Sequence, residues 1–103
     1  MEPNAEGHEE LFIVARFHAL KGQEHAVAFA LRSEVLSSRR DTGCLSHEAY
    51  RSTSDQRLFF ISSRWVDEAA FEAHVGFQHT IRFAESIQVM IDHELKPIRL
   101  RPI

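Results

Sequence analysis

Residues 59–79 read FFISSRWVDEAAFEAHVGFQH, and this run restricts the fold more than any other stretch of the chain. It opens as an apolar strand ending on the single Trp, Trp65. Asp67 follows, placed so that its carboxylate can accept the exposed amide hydrogens of a first helical turn. A helix of good formers then runs to Val75 and stops at Gly76, and a second helical stretch starts at Gln78. A strand handed directly into a capped helix calls for helices that cover a sheet. The same run sets an indole N–H and two imidazoles, His74 and His79, near one strand-to-helix junction. That is a place to hold a small apolar substrate.

The rest of the chain extends this pattern. Leu11 to Ala19 (LFIVARFHA) reads as a strand, with an unbroken apolar face of Leu11, Ile13, Ala15 and Phe17 and a mixed face of Phe12, Val14, Arg16 and His18. Gln23 to Arg40 reads as a helix, with Arg39 and Arg40 complementing the dipole of its last turn and Gly43 as its stop. Cys44 to Arg51 reads as a strand with Leu45, His47 and Ala49 on one face. The polar link Ser52–Asp55 makes a hairpin with a third strand, Arg57 to Trp65, whose Phe59, Ile61, Ser63 and Trp65 share a face. A helix from Gln78 to Ile91 carries Phe83, Ala84, Ile87, Met90 and Ile91 at three-four spacing. The last segment, Glu94 to Ile103, contains Pro97 and Pro102 and so reads as an edge strand.

The order β-α-β-β-α-(α)-β is that of an α+β, ferredoxin-like split βαβ fold with one antiparallel sheet. Residues 11–103 form one domain, as expected for a chain of 103 residues. Residues 1–10, MEPNAEGHEE, read as a frayed acidic tail rather than a signal peptide. No apolar run approaches the roughly 20 residues that span a bilayer. With a net charge of −3, there is no basic excess to draw nucleic acid. The lone Cys44 excludes an internal disulfide, argues against a cysteine-based zinc site and fits a cytoplasmic location. An outer sheet face bearing Phe12, Val14, Leu58 and Phe60 is too apolar for a monomer, so a homodimer is expected.

Several motifs carry a resemblance. The run Trp65-Val66-Asp67-Glu68-Ala69-Ala70-Phe71-Glu72-Ala73-His74 resembles the signature W-x-[DS]-x-x-A-[LF]-x-x-H of the antibiotic biosynthesis monooxygenase superfamily. Gly43-Cys44-Leu45 is similar to its PGCL turn, and His79 falls where many members carry another His. The resemblance covers residues 11–101. It implies a dimeric α+β barrel and kinship with cofactor-free quinol and anthrone monooxygenases and with haem-degrading monooxygenases. Two departures stand out: Thr42 replaces the proline, and Ser63 occupies a position where relatives often have Glu. The first strand lacks the Asn typical of the haem-degrading branch, which counts against haem.

Each candidate residue has a structural and a functional reading. Trp65 is a core aromatic at a strand end, or a donor and stacking platform for an aromatic substrate. His74 either caps carbonyls at the helix end or acts as a general base, since imidazole titrates near neutrality. His79 reads as a structural or supporting neighbour of the pocket. The separation of His74 from His79 is not the i, i+4 pairing that presents two imidazoles to one ion, so no metal is expected. His47 reads first as a surface or dimer-interface residue, with a place in the cavity as its functional reading. Ser63 is a candidate polar contact, and Phe71, Phe77, Phe83 and Ile87 candidate apolar wall. Arg16 and Arg64 read as ion-pair residues between sheets, and Cys44 as inert.

The expected function is therefore cofactor-independent oxidation of a small electron-rich aromatic, a quinol or anthrone-like compound, by O2. Such a substrate supplies its own electrons, so the protein need provide only a dry pocket, a base and donors. The alternatives are a non-catalytic dimeric ligand-binding or stress-response protein of the same fold, and a haem-degrading monooxygenase.

Overall fold

Alternating burial along the first strand sets the frame of the molecule. The computed structural model describes residues 9–103. Strand β1 (Leu11–His18) buries Leu11, Ile13, Ala15 and Phe17 and leaves the residues between them half-buried or exposed. Helix α1 (Glu24–Ser38) crosses to β2 (Cys44–Arg51), which turns into β3 (Leu58–Trp65). Helices α2 (Glu68–Val75) and α3 (Gln78–Gln88) precede a short β4 (Ile98–Leu100). The described strands pair antiparallel in the order β2-β3-β1-β4, the α+β ferredoxin-like arrangement.

The register places Leu11 opposite Trp65, Ile13 opposite Ser63, and Phe17 opposite Phe59. These pairs share the covered face. Phe17, Phe59 and Ile61 pack with Val27 and Leu31 of α1 and Ile87 of α3. A second cluster joins Leu11, Ile13 and Trp65 to Phe71 of α2. Burying side chains of this size stabilises by about 1.5–3 kcal/mol each. The opposite face carries Phe12, Val14, Leu58 and Phe60, with their cross-strand partners Leu100, Ile98 and Tyr50 exposed. No helix among the described residues is long and apolar enough to cross a membrane.

Four expectations change. First, α1 ends at Ser38, so Arg39 lies past its last turn. Its guanidinium instead donates to the His47 carbonyl (3.0 Å) and to Glu48 (2.7 Å), tying the helix end to β2. Second, a β-bulge between Cys44 and Ser46 takes Leu45 out of the alternation and leaves it 45% exposed, away from the face of His47. Third, the edge strand at the C-terminal end is only three residues long. Fourth, the tail expected over residues 1–10 lies, for residues 1–8, outside the described residues, and Glu9 and Glu10 pair with Arg101 and Arg64.

Gly43 is required for a reason other than stopping the helix. Its φ is +84°, and a Cβ built there would stand 2.5 Å from Ala70 Cβ and 2.9 Å from Val66 Cγ1. Its carbonyl also accepts the Val66 amide at 2.8 Å, so the turn into β2 abuts the start of α2. Gly43→Ala should therefore cost about 3 kcal/mol, from left-handed strain plus the clash. Gly22→Ala, with φ +90° but open space, should cost only about 1 kcal/mol. Urea denaturation of the two variants checks the difference, and equal losses would contradict it.

Candidate functional site

The site begins with the cap of α2. Asp67 Oδ1 accepts the Ala70 amide at 2.9 Å, which fixes the first turn and turns Phe71 and His74, three residues apart, toward the sheet. Gly76 then ends the helix, and the Phe77 amide bonds the His74 carbonyl (3.1 Å) as α3 starts. This tight corner brings the His79 ring to 5.7 Å from that of His74, although their spacing in sequence is not helical. On the other side, α1 presents Glu34 inward because positions 27, 31, 34 and 38 form one buried stripe. Asp41 comes from the turn before Gly43, held by its amide to Ser38 and by the Cys44 amide on its carbonyl.

These four groups form one network. His74 Nδ1 lies 2.7 Å from Asp41 Oδ2, with both side chains under a tenth exposed. A carboxylate only accepts, so Nδ1 carries the proton and Nε2 of neutral His74 keeps its lone pair. His79 stands between two carboxylates, Nδ1 at 3.2 Å from Glu34 and Nε2 at 3.0 Å from Asp41. Both its nitrogens donate, which describes an imidazolium. Burial opposes that charge, but the hydrogen bonds and charges of Glu34 and Asp41 outweigh it and raise the His79 pKa. The Ser38 hydroxyl donates to Glu34 (3.1 Å), and the Thr80 hydroxyl lies 3.4 Å from both Nδ1 atoms. Among the described residues, Glu34, His74 and His79 are the one group spaced for a cation, one donor atom each within 4.8 Å. Here those donors serve one another and Asp41.

A cavity of about 430 Å³ opens beside this network. Its wall is mostly apolar, with Ile13, Phe17, Ile61, Phe71 and Phe83, and its polar members include Glu34, His47, Ser63, His74 and Thr80. His47 and Ser63 face each other across β2 and β3. Burial, then the neighbouring His74 and Arg39, push the His47 pKa down to about 4, so the ring is neutral at pH 7. Of the residues singled out in the sequence, His47, Ser63, Phe71, His74 and Phe83 line this cavity.

The others lie elsewhere. Trp65 is fully buried behind the wall, its ring 4.5 Å from that of His74 and 5.8 Å from that of Phe71. Its indole N–H is already donated to Ser63 Oγ at 3.0 Å. Ile87 is fully buried in the main core, and Phe77 is 40% exposed at the start of α3. His79 lies behind His74, beside a groove between α1 and α3. Sequence reasoning missed Glu34, Asp41 and Thr80. The signal for Glu34 was present, as an acidic residue on the apolar stripe of α1; Asp41 looked like part of a solvated helix end.

Comparison with known proteins agrees with this architecture. The sequence profile described as antibiotic biosynthesis monooxygenase matches residues 11–86. No curated protein matches the sequence. Among solved structures, PA3566 from Pseudomonas aeruginosa is 27% identical with a TM-score of 0.85, covering 96% of this chain and 99% of that one. Rv0793 from Mycobacterium tuberculosis is 19% identical with a TM-score of 0.86, covering 92% and 96%. A structure described as an antibiotic biosynthesis monooxygenase is 19% identical with a TM-score of 0.84, covering 90% and 98%. At such identities the last two speak to the fold alone. The profile match spans most of the chain, and the signature run from Trp65 to His74 lies within it. The chain belongs to the antibiotic biosynthesis monooxygenase family.

Proposed function

We propose that this protein is a cofactor-independent monooxygenase that oxidises a small electron-rich aromatic, a quinol or an anthrone-like compound, with O2. The observation that carries the reading is the Asp41–His74 pair at 2.7 Å with the His74 ring in the wall of an apolar cavity. Asp41 fixes the tautomer and orientation of the ring, and His79 in turn holds Asp41. The free nitrogen of His74 then serves as the base. It takes a proton from the bound substrate, and the resulting anion passes one electron to O2. The substrate radical and superoxide combine to a peroxide at carbon. Cleavage of the O–O bond with loss of water leaves a carbonyl, and the proton held by His74 leaves with that water. In sum, a CH2 group and one O2 give one carbonyl and one H2O, whereas a quinol's ring C–H, its neighbouring O–H and one O2 give two carbonyls and one H2O.

The apolar wall excludes water from the anion, which favours electron transfer over reprotonation. Trp65 supports the base from behind, its ring packed on that of His74. Incubation of the purified protein with a quinol panel under air tests the reading. Oxygen uptake above the no-protein control is expected with at least one quinol, and its absence across the panel would point to the non-catalytic binding protein instead.

The protein acts as a cytoplasmic homodimer in this reading. The uncovered sheet face brings Phe12, Val14, Phe60, Tyr50, Ile98 and Leu100 together on one side. Pairing two such faces about a two-fold axis removes both from water and closes an α+β barrel. Sedimentation at micromolar concentration should give about twice the 11.9 kDa chain mass. A monomer would contradict the pairing.

A further inference from the structure

His47 Nδ1 is the one buried side-chain polar atom among the described residues that no hydrogen bond satisfies. The residue is 4% exposed and sits in the cavity wall. Folded proteins pair the great majority of such atoms, because an unpaired one loses its water without recompense. Nδ1 itself is buried out of reach, but Nε2 of the same ring makes no hydrogen bond to the described residues either, and in the wall of a cavity a ligand can supply its partner.

The surroundings determine what kind of ligand does so. The cavity wall contains no Lys or Arg and includes the carboxylates Glu34 and Glu85, so an anion finds no counter-charge. The His47 ring is neutral, with one N–H and one lone pair. A hydroxyl both donates and accepts, and therefore pairs with Nε2 in either tautomer. A hydrocarbon group does neither. The His74 ring centre is 6.0 Å from that of His47, so the two imidazoles form separate polar points on a mostly apolar wall. A single hydroxyl on a flat ring serves one of them; two hydroxyls serve both.

We infer that His47 is a ligand-reading residue of the cavity, receiving one hydroxyl of a neutral dihydroxylated aromatic whose other hydroxyl faces His74. This rests on the reading that the cavity takes an aromatic substrate, though not on that substrate being turned over. It assigns the two imidazoles different tasks, with His74 the base and His47 the group that selects for a second hydroxyl.

Isothermal titration calorimetry under argon, with hydroquinone, p-cresol and p-xylene, tests the inference without any oxidation. Each member of this series exchanges one hydroxyl for a methyl of similar size. Wild-type protein should lose about tenfold in affinity at each exchange. In His47→Phe, hydroquinone and p-cresol should bind equally, while p-cresol remains preferred over p-xylene through His74. The variant removes the unpaired atom, so its melting temperature at pH 7.5 should equal or exceed that of the wild type; if it does not fold, His47→Leu takes its place. Undiminished preference for hydroquinone in the variant would overturn the inference, as would equal binding of hydroquinone and p-cresol, or no binding, by the wild type. The oxygen-uptake result is independent: a protein that ranks the ligands as stated but consumes no O2 would refute the enzyme and leave the role of His47 standing.

Discussion

His74→Ala is expected to lower kcat by about 10²- to 10⁴-fold, the usual worth of a positioned acid–base group. Substrate binding should change far less, because Phe71, Phe83 and Ile61 still form the wall. The variant should remain folded: Asp67 still caps α2 and Phe71 still packs on Trp65. Asp41→Asn provides the companion test. An asparagine still reaches His74 but can present its amide N–H₂ to Nδ1, which then keeps the lone pair and puts the proton on Nε2. A kcat loss in Asp41→Asn with KM nearly unchanged is expected. Full turnover by a folded His74→Ala variant would remove the base from the account. Steady-state oxygen uptake with the best quinol measures both.

The second large effect concerns stability against pH. His47 has an ordinary pKa of 6.5 and a folded value of about 4. Between these values the unfolded chain binds a proton that the folded protein refuses, so stability falls as pH drops from 6.5 to 4 and levels off below that. The separation corresponds to about 3 kcal/mol. The groups facing the ring agree with this direction: His74 and Arg39 oppose its charge, Asp41 favours it more weakly than these two, and His79 opposes it least. The carboxylates of half-buried Asp55 and exposed Asp92, also shifted down, lose their contributions only below their ordinary value of 3.8, outside this window. His79 acts at the other end. Its raised pKa makes a contribution that is complete below pH 6.5 and is lost as pH rises through the folded value. Urea denaturation at pH 6.5, 5 and 4 should show His47→Phe losing about 3 kcal/mol less than the wild type across this range. Parallel losses would show that His47 is not the group responsible.

How much of this was legible in the sequence depended on distance along the chain. The α2 boundaries followed from Asp67 and Gly76 because capping is local, and the covered faces of β1 and β3 followed from period-two alternation. The face of Leu45 did not, since a bulge adds one residue with no compositional mark. The network was hidden for a different reason. Glu34, Asp41, His74 and His79 come from α1, a turn, α2 and α3, and each alone has an ordinary surface explanation. Trp65 shows the same limit. Its place on the covered face was readable, but the engagement of its N–H with Ser63 was not. That bond gives Ser63 a structural part in the site: its hydroxyl accepts the indole proton and holds Trp65 behind the wall.

The most direct test of the central claim is the fate of labelled oxygen. The wild-type protein is incubated under ¹⁸O₂ with the quinol that gives the fastest uptake, and product and water are analysed by mass spectrometry. One ¹⁸O atom is expected in the product and one in water, with the yield lost in His74→Ala. Oxidised product carrying no label would contradict it, because the protein would then remove electrons from its substrate without transferring oxygen to it.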